Sequence, residues 1–127
     1  MYLPLCTPIN ISMNNITERP WGYYQVLHQV GSHVKLKELT VMPGQRLSMQ
    51  RHDHRAEFWF VAEGRATIYT VDPNSTEYEV LDRASQHEHC WIELGQWHQL
   101  CNDTDQPLKL IEIQYGADCV EEDIERR

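Results

Sequence analysis

From Trp21 onward, apolar and polar positions alternate in short runs, and turn residues break the runs at fairly even intervals. The segments YYQVLHQV, VKLKELTV, EFWFVAEG, RATIYTV, EYEVL, CWIEL and LKLIEIQYG each read as a short strand, because period-two alternation gives a pleated segment one apolar face. Between them, Gly31-Ser32, Pro43-Gly44, Glu63-Gly64, Asp72-Pro73-Asn74 and Asn102-Asp103 supply the residue types that turns require. A helical period is missing until VEEDIERR at the end, which predicts one short helical turn. Residues 1–15 carry Pro4, Pro8 and an Asn pair without any period, and predict an N-terminal arm. Many short strands at even spacing predict an all-β sandwich or small barrel, formed by a single domain over 16–127.

Composition narrows the class without changing that picture. A chain of 127 residues is long enough for one proper core. With a formal net charge of -8 and its eleven Lys and Arg scattered, it is not expected to bind nucleic acid, although a few cations can still grip a small anion. Cys6, Cys90, Cys101 and Cys119 form no CxxC pair, so neither a zinc knuckle nor a redox motif is expected. The opening MYLPLCTPINISMNN has no basic, then apolar, secretory pattern. Reduced thiols, a cytoplasmic location and no membrane association are the expectation.

Chemistry concentrates in SMQRHDHRAEFW, residues 48–59. Counting from Gly44, five residues lead to Gln50, one separates it from His52, four lead to Glu57 and six more lead to Gly64. Later, Gly95 is followed by two residues, His98, three more and Asn102. These spacings resemble the two motifs of the cupin superfamily, with Gln50 where the first has a histidine and Glu93 where the second has a proline. The resemblance implies a cupin double-stranded β-helix, a jelly-roll barrel, with a metal held by Gln50, His52, Glu57 and His98. Strand geometry is compatible with this, because alternate residues such as Gln50 and His52 share a face. A turn through 53–56 then starts a new strand at Glu57. Imidazole, amide and carboxylate donors suit one divalent ion, with zinc first and manganese, cobalt or iron also acceptable. Residue chemistry alone prefers His54 to Gln50 as the fourth ligand, whereas register prefers Gln50.

The resemblance narrows further. RPWGYY at 19–24, KLKELTVMPGQRLSMQRHDHRAEFW at 35–59, LKLIEIQYG and the closing EEDIERR resemble the mannose-6-phosphate isomerase domain at the C-terminus of bifunctional mannose-1-phosphate guanylyltransferases. Phe58 replaces that family's histidine, and QHEHCWIELGQW departs from its usual sequence. The type I phosphomannose isomerases, also cupins, hold zinc with glutamine, histidine, glutamate and histidine, an order that Gln50, His52, Glu57 and His98 repeat. The implied activity is interconversion of mannose 6-phosphate and fructose 6-phosphate. His54 and Glu112 are the candidate bases. Arg55 is the candidate phosphate contact, counted with the catalytic set, and Lys37 is a further substrate contact. A homodimer is expected, and a separately encoded nucleotidyltransferase is a conceivable partner. The rival readings are an iron-dependent dioxygenase, which would consume oxygen, and a sugar-phosphate binding module without turnover. His87 and His89 repeat the H-x-H pattern without a third ligand and read as an exposed edge.

Overall fold

Alternation along the chain becomes alternation between the two sides of a sheet. The computed structural model describes residues 15–127, so the arm expected over 1–15 lies outside the described residues apart from Asn15. The strands in chain order are β1 (Ile16–Arg19), β2 (Gly22–Val30), β3 (Val34–Val41), β4 (Gln50–Arg51), β5 (Arg55–Glu63), β6 (Ala66–Val71), β7 (Tyr78–Ala84), β8 (His89–Ile92), β9 (Gln99–Cys101), β10 (Leu108–Gly116) and β11 (Glu125–Arg126). They form a six-stranded sheet in the order β1-β2-β3-β10-β5-β8, a three-stranded sheet β7-β6-β9 and a two-stranded ribbon β11-β4. Every pairing is antiparallel. The segment after Gly44 runs back along β9, through the bridges Arg46↔Cys101 and Gln50↔His98.

Three neighbouring strands carry both the core and the site. On β10, Leu110 lies opposite Leu39 of β3 and Val61 of β5. One pleat along, Glu112 lies opposite Lys37 and Trp59, and the next rung joins Gln114 with Lys35 and Glu57. All nine side chains are buried. The inner face is therefore aliphatic at one end and ionisable at the other. Residues of both larger sheets, among them Leu39, Val61, Ile68, Leu100, Leu108 and Leu110, join one apolar cluster, so the core lies between the sheets. Each such aliphatic side chain, once buried, contributes roughly 1.5–3 kcal/mol.

Close backbone approaches explain two glycines. Gly64, at φ 87°, turns β5 into β6, and a Cβ there would stand 2.7 Å from the Pro107 carbonyl oxygen. Gly116 lets β10 run beside Arg55, where a Cβ would meet the His54 carbonyl oxygen at 2.3 Å. The motif residue Asn102 is a turn clamp. Its amide donates to the carbonyls of Val41 (2.9 Å) and Gln106 (2.7 Å), while its oxygen accepts from Thr104.

The strand expected from Glu57 begins two residues earlier, at Arg55, because Asp123 closes the preceding turn by accepting from the backbone N–H groups of Asp53 (3.0 Å) and His54 (2.8 Å). The short helical turn expected in VEEDIERR does not form. That segment lies across the barrel as a strap and ends in β11, which pairs Glu125 with Arg51 and Arg126 with Gln50. It makes one hydrogen-bonded turn, with the Asp123 N–H donating to the Val120 carbonyl at 3.2 Å, and its alternate acidic residues find separate partners: Glu121 reaches Lys37, Asp123 the 53–54 turn and Glu125 Arg51. A helix would stack Glu121 and Glu125, four residues apart, on one face and turn Asp123 to the other. No described helix is long and apolar enough to cross a membrane.

Candidate metal centre and its cavity

The ionisable end of the barrel opens into a cavity of about 370 Å³, lined among others by Gln50, Arg55, Glu57, His98, Glu112 and Gln114. That volume lies within the roughly 300–1,000 Å³ range of small-ligand pockets. β5 supplies Glu57. The backbone bridge between Gln50 and His98 sets those two side by side, with Gln50 N–H donating to the His98 carbonyl and His98 N–H to that of Gln50, both at 2.9 Å. His52 follows Gln50 by one full pleat. One donor atom from each of His52, Glu57 and His98 falls in a cluster no wider than 4.8 Å.

Both imidazoles are oriented from behind. His52 Nδ1 donates to the Asp123 carbonyl at 2.7 Å and His98 Nδ1 to the Gln96 carbonyl at 2.9 Å. Each therefore turns its unprotonated Nε2 to Glu57, at 3.3 Å from His52 and 3.8 Å from His98. Burial keeps the rings neutral and lowers both pKa values to about 4, helped at His52 by the charge of Arg55. Neutral imidazoles backed by carbonyls, facing a buried carboxylate, are the donor set and outer shell that a borderline divalent cation requires. The cluster can hold a metal ion.

Glu57 is fixed at both oxygens. Arg55 Nε donates to Oε2 at 3.1 Å, and the Trp59 indole donates to Oε1 at 2.9 Å. The same indole N–H also reaches Glu112 Oε2 at 3.1 Å, and the Gln114 amide holds Glu112 Oε1 at 2.7 Å. Burial first, then the negative Glu57, raises the Glu112 pKa to about 7, against the opposing charges of Lys37 and Arg55. A carboxyl group poised near neutrality beside a metal-competent cluster can exchange protons with a ligand.

The structure brings Gln50, His52, Glu57, His98, Glu112, Arg55 and Lys37 to this end of the barrel and leaves His54 outside. The His54 side chain is 62 % exposed and points to Asp123, because it falls on the opposite pleat from Arg55 and Glu57. As candidate base or fourth ligand it is corrected on that ground. Arg55, the candidate phosphate contact, lines the cavity with its guanidinium already engaged. It is buried, and its partners are Glu57, the Val120 carbonyl (3.1 Å) and His52 Nε2 (3.2 Å). Lys37 is buried rather than an ordinary surface lysine, with its ammonium 4.3 Å from the Tyr24 ring centroid and paired with Glu121. Sequence reasoning passed over Lys35 and Gln114, although each stands two residues from a named candidate and so shares its face. It also missed Trp59 as a tether, and Glu121 and Asp123, whose contacts depend on the strap. Cys90, Cys101 and Cys119 are buried free thiols.

A jelly-roll barrel of two facing sheets with a histidine and carboxylate cluster at one end is a cupin. Solved structures agree in fold: the capsular polysaccharide assembling protein CapF from Staphylococcus aureus superposes with a TM-score of 0.75 at 18 % identity, over 87 % of this chain and 33 % of that one. Oxalate decarboxylase from Lactobacillus farciminis gives 0.69 at 14 % identity, over 87 % of this chain and 32 % of that one. Within the cupins, the family described as "Mannose-6-phosphate isomerase C-terminal" matches residues 10–127, and the chain belongs to it. Among curated relatives, the xanthan biosynthesis protein XanB of Xanthomonas campestris is 41 % identical and a mannose-1-phosphate guanylyltransferase of Salmonella muenchen is 40 % identical, each over 85 % of this chain. The chain spans 21 % of the length of either relative.

Proposed function

We propose that this chain is a metal-dependent aldose–ketose isomerase that interconverts mannose 6-phosphate and fructose 6-phosphate. The observation that carries the reading is the pairing of two buried carboxylates through one indole N–H. Glu57 is locked into the cluster of His52 and His98, and Glu112 is poised near neutrality one rung away. His52, Glu57 and His98 would hold the ion, with Gln50 as fourth ligand and zinc as the favoured metal. When bound, such an ion supplies Lewis-acid polarisation of the sugar carbonyl.

The chain's own residues supply the remainder. Glu112 takes the proton from C2 of the aldose, leaving a cis-enediol, and returns a proton to C1 to give the ketose. The hydroxyl proton moves between O1 and O2 in the same sense, so no atom is gained or lost. Trp59 and Gln114 orient the Glu112 carboxyl group, and Arg55 offsets the buried charge of Glu57. Lys37 and the neighbouring polar rungs face the substrate. Membership of a family described by this isomerase supports the reaction class. A cytoplasmic location suits a phosphorylated substrate.

The test is turnover of mannose 6-phosphate by metal-stripped protein reloaded separately with zinc, manganese, cobalt and iron, followed as fructose 6-phosphate. Turnover restored by a metal and lost in Glu112→Gln is the expected result. Absence of turnover with every metal, in protein shown to bind metal, overturns the reading.

A further inference from the structure

Lys35 and Lys37 are a buried pair of like charges on one face of β3, with side chains only 10 % and 6 % exposed. Like charges placed side by side out of water repel strongly unless an anion answers them. Among the described residues, one carboxylate lies within ion-pairing distance of either lysine, and the same oxygen serves both. Glu121 Oε1 accepts a hydrogen bond from Lys37 and stands 3.6 Å from Lys35. The two partners differ in setting. The lysines are held in the pleat of a central strand, whereas Glu121 belongs to the strap, outside any strand, and its side chain is 51 % exposed.

Beside this pair, Gln114 lies opposite Lys35 in register and lines the cavity with Lys37 and Glu121. Gln114 is 1 % exposed, and its Oε1 is buried without a hydrogen-bond partner. A fully buried amide oxygen left unpaired costs about 1–3 kcal/mol, which a ligand hydroxyl would recover. Lys37, a displaceable carboxylate and an unanswered acceptor therefore line one cavity, with Lys35 behind them at 3.6 Å from the same carboxylate oxygen.

We propose that Lys35 and Lys37 form an anion subsite that the chain's own Glu121 occupies, and that the phosphate group of a ligand enters by displacing the Glu121 carboxylate into solvent. The step exchanges one anion for another and makes or breaks no covalent bond. Only the identity of the anion, the phosphate of a phosphorylated sugar, rests on the function proposed above. An anion held at Lys35 and Lys37 leaves the remainder of such a ligand over the rungs of Gln114 and Glu112, toward Glu57.

Inorganic phosphate, titrated calorimetrically into the full chain as purified, tests the subsite without any turnover. Glu121→Gln should bind phosphate about tenfold more tightly than Glu122→Gln, which removes the same charge from the adjacent exposed position. Lys35→Met, confirmed folded by its thermal transition, should bind at least about tenfold more weakly than wild type, which separates phosphate on the lysines from phosphate on a metal. If Lys35→Met does not fold, the comparison of the two glutamate variants decides alone. Equal affinities in those two variants, no phosphate binding in Glu121→Gln, or unchanged affinity in a folded Lys35→Met overturns the proposal. A chain that binds phosphate as expected yet isomerises nothing keeps the subsite and loses the isomerase. A chain that turns over mannose 6-phosphate with equal affinities in both glutamate variants does the reverse.

Discussion

The two ends of β3, β5 and β10 have the same backbone, the same antiparallel register and nearly the same burial, yet their contents are opposite. At one end Leu39, Leu110 and Val61 meet; two pleats on, Lys35, Gln114 and Glu57 meet in the same geometry. The aliphatic rung needs nothing beyond close packing. Each group of the ionisable rungs needs a partner; the charged ones find theirs through Trp59, Arg55, Glu121 and the strap, whereas Gln114 Oε1 is left without one. The first end stabilises the barrel, and the second draws on that stability to hold charges where water cannot relax around them.

Substitutions that separate the two ends are the sharpest tests. At the ionisable end, Glu112→Gln should lower isomerase turnover by about 10²–10⁴-fold, with metal stoichiometry and thermal midpoint nearly unchanged. A parallel loss of metal would instead make Glu112 part of the metal site. At the aliphatic end, Leu110→Ala should cost roughly 2–5 kcal/mol in chemical denaturation while the surviving folded fraction binds metal normally. If it abolishes metal binding at wild-type stability, the two ends are not separable.

A smaller effect lies on the strap. Asp123→Ala removes the carboxylate that closes the 53–54 turn and loosens the carbonyl behind His52, so metal affinity should fall by about 10–100-fold in a chelator competition. Unchanged affinity would mean that His52 is oriented by its own strand.

Acid should reveal the weakest coupling. Burial pushes the Glu121 and Asp123 carboxyls upward. The hydrogen bond and charge of Lys37 outweigh it at Glu121, and the backbone donors of residues 53 and 54 do so at Asp123, so both are held below the ordinary range. Depressed folded-state values stabilise the strap above the ordinary carboxylate range near about pH 4, and that contribution is lost as pH falls through them. Amide exchange along 118–127 should therefore accelerate below about pH 4 before the aliphatic core opens. Simultaneous opening of both would join the strap to the core.

The sequence made much of this legible because strands obey a period of two. The spacing of His52, Glu57 and His98 carried the cluster that can hold a metal, with Gln50 beside His98, and LKLIEIQYG carried the inward Glu112. Lys35 and Gln114 were readable by the same parity, one step from Lys37 and Glu112. His54 misled because imidazole chemistry argued for it while its pleat faced outward. Glu121 and Asp123 were not readable, because their partners lie 69–84 residues earlier and nothing local to EEDIERR announces a contact at that distance.

The bond from His52 to the Asp123 carbonyl also sets an order of events during synthesis. Its two ends lie 71 residues apart in the chain. At about 5–20 residues per second, roughly 4–14 s pass between the synthesis of the imidazole and that of the carbonyl that orients it. During that interval the histidine lacks the hydrogen bond that orients it toward Glu57. Any preference of this cluster among metal ions would therefore belong to the finished barrel and not to the growing chain.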